Sequence, residues 1–492
     1  MHIVIPMAGV GQRFINAGYK EPKPLIKINN KTIIEHACDI FPTETKFTFI
    51  CNAKHLAETN MREELLKIKP NANVLEIPNH TQGPVYTVLQ ISDLIDDDEE
   101  VIINYCDFGI YWDYEDFLKH TRDRDADGVV VSYKKFHPHM FGSTNYALST
   151  DTEQWVDEIK EKEPIDKAMN KYVSNGTYYF KRGSDLKKYS KELMDKKITY
   201  NDEYYVSLVY NLLVEDNLKV SIYDIPHMLQ WGIPEDVETY NYWSDYFENL
   251  VQDKKEFIAK ANSITVVSMI EDSLEFDKVG YKEYEQAKPF IEIGGKPMFT
   301  QVIDSMPKSE QKVFLLQNKH FEDSDLNNLL LEEYPHASII DTNKGMVFDN
   351  FNRDTSIIFT SFDKSMVYDR EKYNALVDDG SNDIIIFTAN GESFGTYYFK
   401  NLEIFDSIST RVGESDFVSL LNSEYNYTVV EFEVTNAILW DKSYNYETYC
   451  YWQSFFHKTE WHPYLLEKDN SINRDKVKEL DKKFRSFEQE FR

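Results

Sequence analysis

Arg13 and Lys23 are cations ten residues apart, each in a setting that restricts it. Arg13 closes the run Ala8-Gly9-Val10-Gly11-Gln12, directly after the strand-like segment HIVIPM. Two glycines let a backbone approach a polyphosphate, and successive N–H groups can cradle its oxygens. A guanidinium inside such a turn suits a terminal or leaving phosphate. The loop reads equally well as an ordinary tight turn between strand and helix. It is not a dinucleotide fingerprint, since Phe14 stands at the third glycine, and no Gly-Lys-Ser/Thr follows to make a Walker loop. Lys23 lies in Glu21-Pro22-Lys23-Pro24-Leu25, where flanking prolines favour a rigid, extended segment. From there it could bring a second cation to the same phosphates. Other candidates are weaker alone. Asp107 ends an apolar run, where an aspartate is often a helix cap. Glu161 and Lys162 sit in the charge run IKEKE, ordinarily a solvated face. His137 and His139 form an HxH without a visible third metal ligand, so a surface loop is expected there.

These residues need a scaffold, and the composition supplies one. The chain has 492 residues, 42% hydrophobic and 14% aromatic, enough for two or three domains with buried cores. Its net charge of −30 disfavours nucleic acid as a partner, because such a surface repels phosphate backbones. The cysteines Cys38, Cys51, Cys106 and Cys450 contain no CxxC pair, so neither a disulfide framework nor a zinc knuckle is indicated. No apolar run approaches the length of a membrane span and no signal peptide is visible, so no membrane association and a cytoplasmic location are expected.

Residues 2–7 read as a buried strand, 31–41 as a helix, 46–51 as a strand, 84–95 as a helix and 100–106 as a strand. Alternation of helices with fully apolar strands predicts a three-layer αβα, Rossmann-like fold with a largely parallel sheet. Such folds bind ligands at the carboxyl ends of strands, where the motifs above fall.

The pattern occurs twice. Gly18-Tyr-Lys-Glu21 returns as Gly280-Tyr-Lys-Glu283, and Lys23-Pro24 as Lys288-Pro289. Asp107 returns as Asp363, Gly176-Thr-Tyr-Tyr-Phe180 as Gly395-Thr-Tyr-Tyr-Phe399, and Trp231 as Trp440. The order is kept while the offset drifts, as in a duplication followed by loop loss. Two tandem α/β domains are therefore expected, at 1–250 and 262–460, with a charged helical tail at 461–492. In that tail Val477, Leu480, Phe484, Phe487 and Phe491 make one apolar stripe at helical spacing. The stripe either packs on its own domain or joins two chains into a homo-oligomer. It is short for a coiled coil, which favours the first.

MAGVGQRF followed by EPKPLIKI resembles the signature of the sugar-phosphate nucleotidylyltransferases. The resemblance runs through Thr81-Gln-Gly-Pro-Val-Tyr-Thr87, Asn104-Tyr-Cys-Asp107, Glu161-Lys-Glu-Pro164, Asn175-Gly176, Asn201-Asp-Glu-Tyr-Tyr205 and Trp231-Gly-Ile-Pro-Glu-Asp236, and so covers about 2–243. It implies a nucleotidyltransferase-like fold and an Mg²⁺-dependent enzyme joining an NTP to a phosphorylated small molecule, by expectation a sugar phosphate for glycan or capsule synthesis. Arg13 and Lys23 would be catalytic. Ala8, Gly9, Gly11, Gln82 and Gly83 would bind nucleotide, and Glu161, Lys162, Asn175 and Gly176 the acceptor. Asp107 would hold the metal, while Gln230 stands where relatives often place a second metal carboxylate. That leaves Asp202, Asp236 or water to complete the shell.

The second copy looks disarmed. Glu271, Ser273 and Glu275 align with Gly9, Gly11 and Arg13, and a glutamate facing a triphosphate is repulsive. Lys288 and Asp363 survive, whereas the counterpart of Glu161-Lys162 is deleted. A degenerate domain with a structural role is expected. Two rivals are weighed: a glycosyltransferase, which would need an Asp-x-Asp motif, and a non-catalytic nucleotide-sensing tandem protein. Asp107-Phe108-Gly109 lacks the second aspartate, and the intact Arg13 and Lys23 argue against a sensor.

Overall fold

A computed structural model describes residues 1–141, 146–164, 171–252, 260–270, 287–317, 324–412 and 417–466, with Asp475 and Val477. The chain divides into two compact units. One comprises Met1–Asp245 with Ser454–Leu466, the other Tyr246–Gln453.

In the first unit, strand His2–Met7 pairs in parallel with Lys46–Asn52 on one side and Val101–Asn104 on the other. Ile3, Ile5 and Met7 enter one core, and Val4 enters another. Burial on both faces explains why HIVIPM is apolar throughout rather than alternating. The sheet has nine strands, in the spatial order Asn73–Ile77, Lys46–Asn52, His2–Met7, Val101–Asn104, Tyr172–Phe180, Gly128–Tyr133, Val220–Asp224, Trp155–Glu163 and Tyr146–Thr152. Helices Ile33–Asp39, Met61–Ile68 and Tyr114–Asp123 feed the first core. Helices Pro84–Leu89, Gly183–Asp195 and Val206–Glu215 feed the second, so the unit is a three-layer αβα sandwich.

Three details differ from the sequence reading. The sheet is mixed rather than largely parallel, because Tyr172–Phe180 runs antiparallel to both neighbours. A buried apolar run reads the same in either direction, so its sequence does not carry its sense. The helix expected at 31–41 starts at Ile33, since Lys31–Thr32 forms a hairpin with Lys27–Ile28 and Thr32 Oγ1 then accepts from Glu35 N. The helix expected at 84–95 ends at Leu89, and a separate 3₁₀ turn follows at Ser92–Leu94.

The second unit has a seven-stranded sheet in the order Ser338–Asp341, Ser309–Leu316, Lys260–Ser268, Ser356–Ser361, Glu392–Phe399, Ile384–Ala389 and Val429–Glu433. These match the first seven strands of the other sheet in order and in relative direction. The small two-stranded sheets recur too: Lys27–Ile28 with Lys31–Thr32 as Glu292–Ile293 with Lys296–Pro297, and Phe108–Tyr111 with His227–Gln230 as Lys364–Val367 with Asn436–Leu439. One piece is missing. Ile384–Ala389 turns through Asn390 (φ 54°) and Gly391 (φ 77°) straight into Glu392–Phe399. Positive φ at both central residues makes a tight hairpin, so nothing corresponds to the strands Tyr146–Thr152 and Trp155–Glu163.

Leu480, Phe484, Phe487 and Phe491 of the tail lie outside the described residues. No helix among the described residues is long and apolar enough to cross a membrane.

Candidate active site

Pro22 is extended, and the chain then tightens into a 3₁₀ turn, Lys23–Leu25, rather than staying extended as expected. Lys23 Nζ donates to Asp107 Oδ2 at 2.9 Å and to the Gly232 carbonyl at 3.3 Å. Asp107 is held just past the Val101–Asn104 strand, its own carbonyl accepting from Trp231 N at 2.9 Å. It is not a helix cap; Asp113 performs that task for Tyr114–Asp123. Burial pushes the Asp107 carboxyl up, but the Lys23 ammonium and its hydrogen bond outweigh that and hold it below the usual carboxylate range. Lys162 acts in the same direction. The pair remains accessible, with Lys23 15% and Asp107 41% exposed.

The glycine loop lies against this pair. Gly11 takes a left-handed backbone (φ 72°), and a Cβ there would stand 3.4 Å from Lys23 Cβ. Ala8 is buried, its carbonyl accepting from Asn52 Nδ2, while Gly9 faces open space. Arg13 projects exposed from the short helix Gln12–Asn16 and makes no ion pair among the described residues.

Glu161 and Lys162 reach the site through an irregularity. The ladder of Trp155–Glu163 with Tyr146–Thr152 shifts register between Lys160 and Glu163, and Lys162 has φ 58°. A bulge with a left-handed lysine is costly local geometry of the kind found at functional sites. Lys162 Nζ lies 5.0 Å from the Tyr205 ring centre, and Glu161 Oε1 accepts from Ser207 Oγ. Burial raises the Glu161 carboxyl above its usual range despite that bond and the Lys162 charge. Beside them, Gly176 (φ 103°) leaves no room for a side chain, since a Cβ would meet Phe108 at 2.9 Å and Tyr105 at 3.0 Å. Asn175 is buried, and its Nδ2 lacks a hydrogen-bond partner among the described residues.

Gln82-Gly83 is joined to the Asn201–Tyr205 loop: Tyr204 N donates to Gln82 O at 2.9 Å, and Val85 N to Tyr204 O at 3.1 Å. A Cβ on Gly83 would stand 2.8 Å from both Tyr204 N and Tyr204 O, so only glycine fits this crossing. The structure thus gathers Gly11, Lys23, Asp107, Lys162 and the Gln82–Tyr204 crossing into one connected neighbourhood. Arg13 stands exposed on the adjoining helix.

Of the two spare acids, Asp236 is the one beside the lysine. Its Oδ2 accepts from Gln230 Nε2, Gly232 N and Ile233 N, each at 3.1 Å. Burial pushes this carboxyl up to about 6 even so, with those hydrogen bonds and Lys23 opposing. The contact from Gln230 gives that residue a positioning task that the sequence did not reveal. The expected surface loop at His137–His139 is instead packed in, with His137 fully buried and Tyr133 OH 2.9 Å from His139 Nε2. Burial pushes His139 down to about 3. No group of three or more His, Cys, Asp or Glu suited to a metal occurs among the described residues.

In the second unit Lys288 and Asp363 meet as their counterparts do, at 3.6 Å, and Trp440 N donates to Asp363 O at 2.8 Å. Here the pair is sealed, at 3% and 2% exposed. Glu271, Ser273 and Glu275 lie outside the described residues.

A family model described as nucleotidyl transferase matches residues 3–246. The first unit belongs to the nucleotidyl transferase family. A 39-residue stretch is 51% identical to 2-C-methyl-D-erythritol 4-phosphate cytidylyltransferase of Wigglesworthia glossinidia brevipalpis, covering 8% of this chain and only 16% of that enzyme. Similar solved structures include a nucleoside-diphosphate-sugar pyrophosphorylase from Vibrio cholerae, 22% identical over 48% of this chain and 98% of its own, with a TM-score of 0.41. A UDP-glucose pyrophosphorylase from Acinetobacter baumanii is 14% identical over 52% of this chain and 99% of its own, at 0.39. The nucleotidyltransferase unit therefore carries the accessible lysine–aspartate pair, and the other unit the buried one.

Proposed function

We propose that the chain transfers a nucleotidyl group from an NTP to the phosphate of a small phosphorylated acceptor, a sugar phosphate, releasing pyrophosphate and supplying nucleotide sugars for glycan or capsule assembly. The observation that carries this reading is the accessible Lys23–Asp107 pair, held against the glycine turn of a nucleotidyl transferase unit.

An acceptor phosphate oxygen attacks the α-phosphorus in line. A new P–O bond forms, the α–β bridge breaks, and its electron pair leaves on pyrophosphate. The attacking oxygen is already anionic near neutral pH, so no general base is needed. The demand is alignment and charge neutralisation, which suits cations on a rigid frame. Lys23 bridges the α-phosphate and the incoming phosphate, and Arg13 answers the charge on the leaving group. Lys162 holds the acceptor phosphate, while Glu161 and Asn175 face its hydroxyls. Gly9, Gly11 and the Gln82–Gly83 turn bring main-chain groups to the nucleotide.

Asp107 fits a magnesium ion. Its Oδ2 is engaged by Lys23, its other oxygen is not, and Mg²⁺ commonly takes one or two carboxylates with phosphates and waters completing its shell. When bound, the ion supplies charge neutralisation on the phosphates. Asp236 Oδ2 is committed to three donors and Gln230 is uncharged, which favours a single protein carboxylate on the metal. We further propose that the second unit is a degenerate duplicate without turnover, because its lysine is closed off from solvent.

The test is pyrophosphate release from a panel of NTPs and phosphorylated acceptors, with and without Mg²⁺. Release with one sugar phosphate, dependent on Mg²⁺, is expected. NTP binding without release from any pair would instead favour a sensor, and sugar transfer from a nucleotide sugar would favour a glycosyltransferase.

A further inference from the structure

A chain of three hydrogen bonds closes around the Gln82–Gly83 turn, with His80 in its middle. Gln82 N donates to His80 Nδ1 at 3.2 Å. The other ring nitrogen, Nε2, lies 2.9 Å from Thr87 Oγ1, and that hydroxyl donates to the Gly83 carbonyl at 3.3 Å. A main-chain N–H can only donate, so Nδ1 is the bare nitrogen and the ring proton of neutral His80 sits on Nε2. Thr87 Oγ1 then accepts from Nε2, which frees its own hydrogen for Gly83 O. Each donor meets an acceptor, from the main chain of Gln82 round to that of Gly83. Thr87 is buried and His80 half-buried, with the Tyr86 ring centre 4.7 Å from that of the imidazole.

Gln82 is thereby held at both of its main-chain groups, since its carbonyl accepts from Tyr204 N at 2.9 Å. In the second unit the turn glycine recurs but the brace does not. Gly345 (φ 95°) follows the edge strand Ser338–Asp341, as Gly83 (φ 86°) follows the edge strand Asn73–Ile77. Three residues before Gly345 stands Thr342 in place of a histidine, and its Oγ1 donates to Leu316 O at 3.0 Å. Four residues past Gly345 stands Asp349, where the first unit has Thr87. The histidine brace therefore occurs in the unit with the accessible Lys23–Asp107 pair and is replaced in the unit whose pair is sealed.

We propose that His80 is a positioning residue for nucleotide binding, fixing the Gln82–Gly83 turn through Gln82 N and, by way of Thr87, through the Gly83 carbonyl. The inference rests on the proposed function, which brings that turn to the nucleotide. Only the neutral ring does this. A proton on Nδ1 sets a donor against the Gln82 N–H, and the turn loses one of its fixed points. Burial holds the imidazole below its ordinary value of 6.5, so the ring is predominantly neutral above that pH. The helix Pro84–Leu89 brings it the Tyr86 phenol and no charged side chain. Of the acids on the crossing loop, Asp202 and Glu203, the second accepts from Tyr205 OH at 2.6 Å, and Glu76 on the preceding strand is exposed.

Calorimetric titration of ATP, CTP, GTP and UTP with Mg²⁺ into the full-length protein tests it, the tightest of the four being carried through His80→Ala and His80→Asn. At pH 8 His80→Ala should bind about tenfold more weakly than the parent, the scale of one lost hydrogen bond. His80→Asn should bind as the parent does, because an asparagine oxygen accepts from the N–H two residues on and so replaces Nδ1. As pH falls from 8 to 5 the parent should weaken relative to His80→Asn, which has no ring to protonate. Titration of the NTP itself is common to both proteins and cancels from that ratio. Melting temperatures measured alongside separate a loose turn from a failed fold. Parent-like binding by His80→Ala, an asparagine variant no better than the alanine one, or a parent-to-asparagine ratio flat from pH 8 to 5 would each overturn the inference. A parent that binds none of the four would overturn it together with the nucleotide reading of the first unit. The expected binding pattern without pyrophosphate release from any acceptor would sink the reaction alone, so the two readings fail separately.

Discussion

On the proposed function, two lysines in matching turns separate chemistry from structure. Lys23→Ala should lower kcat by about 10²–10³, the scale of losing one preorganised charge donor, with little change in melting temperature. Lys288→Ala should do the opposite. It strands Asp363 in a buried site, a loss on the order of 3–5 kcal/mol, and Lys288→Ala with Asp363→Asn should recover part of it. Thermal melting beside pyrophosphate release separates the two effects. Asp236 gives a pH signature. Its carboxyl titrates near 6 in the folded chain, above the value of an unfolded aspartate. The native state therefore holds the extra proton, so this group's stabilising contribution is complete below about pH 4 and is lost as pH rises through 6. The melting-temperature difference between Asp236→Asn and the parent should move in favour of the variant between pH 4 and 7. A difference that stays flat over that range would remove Asp236 from the account.

At the scale of elements, the crossing of the Gln82–Gly83 turn with the Tyr204 loop is the tightest constraint. Gly83→Ala combines a positive φ with backbone contacts at 2.8 Å, so the loop must move. The expected result is a stability loss of about 1–3 kcal/mol and a raised KM for the NTP, measured by denaturant titration and steady-state kinetics. Much here was legible beforehand, because HIVIPM, KFTFIC and the run before Asp107 are continuous apolar strands, and Pro22 with Pro24 flags Lys23. Other features were not. The reversed direction of Tyr172–Phe180 leaves no mark on its composition, and the bulge that turns Lys162 inward lies in a charge run resembling a solvated face. The His137–His139 turn was misjudged as a surface loop, and the contact of Gln230 with Asp236 went unseen, for one reason: such partners are set by folding rather than by spacing.

Across the whole molecule, a −30 chain must attract anionic reactants against its own field. Screening shortens that field to about 8 Å at physiological ionic strength, while contacts inside the site are screened less. kcat/KM for the NTP should therefore rise as salt is raised from about 0.01 M toward 0.15 M, the Debye length falling from about 30 Å. A monotonic fall would mean that the local cations already dominate the approach. The two units share one strand order but have unequal lysine environments, and on the proposed function they would divide the labour, one open to substrate and the other closed at the same point. A crystal soaked with a non-hydrolysable NTP and Mg²⁺ tests this division most directly. The account predicts triphosphate density against Gly9, Gly11 and Lys23, with nothing beside Lys288. Triphosphate at Lys288, or far from the end of His2–Met7, would contradict it.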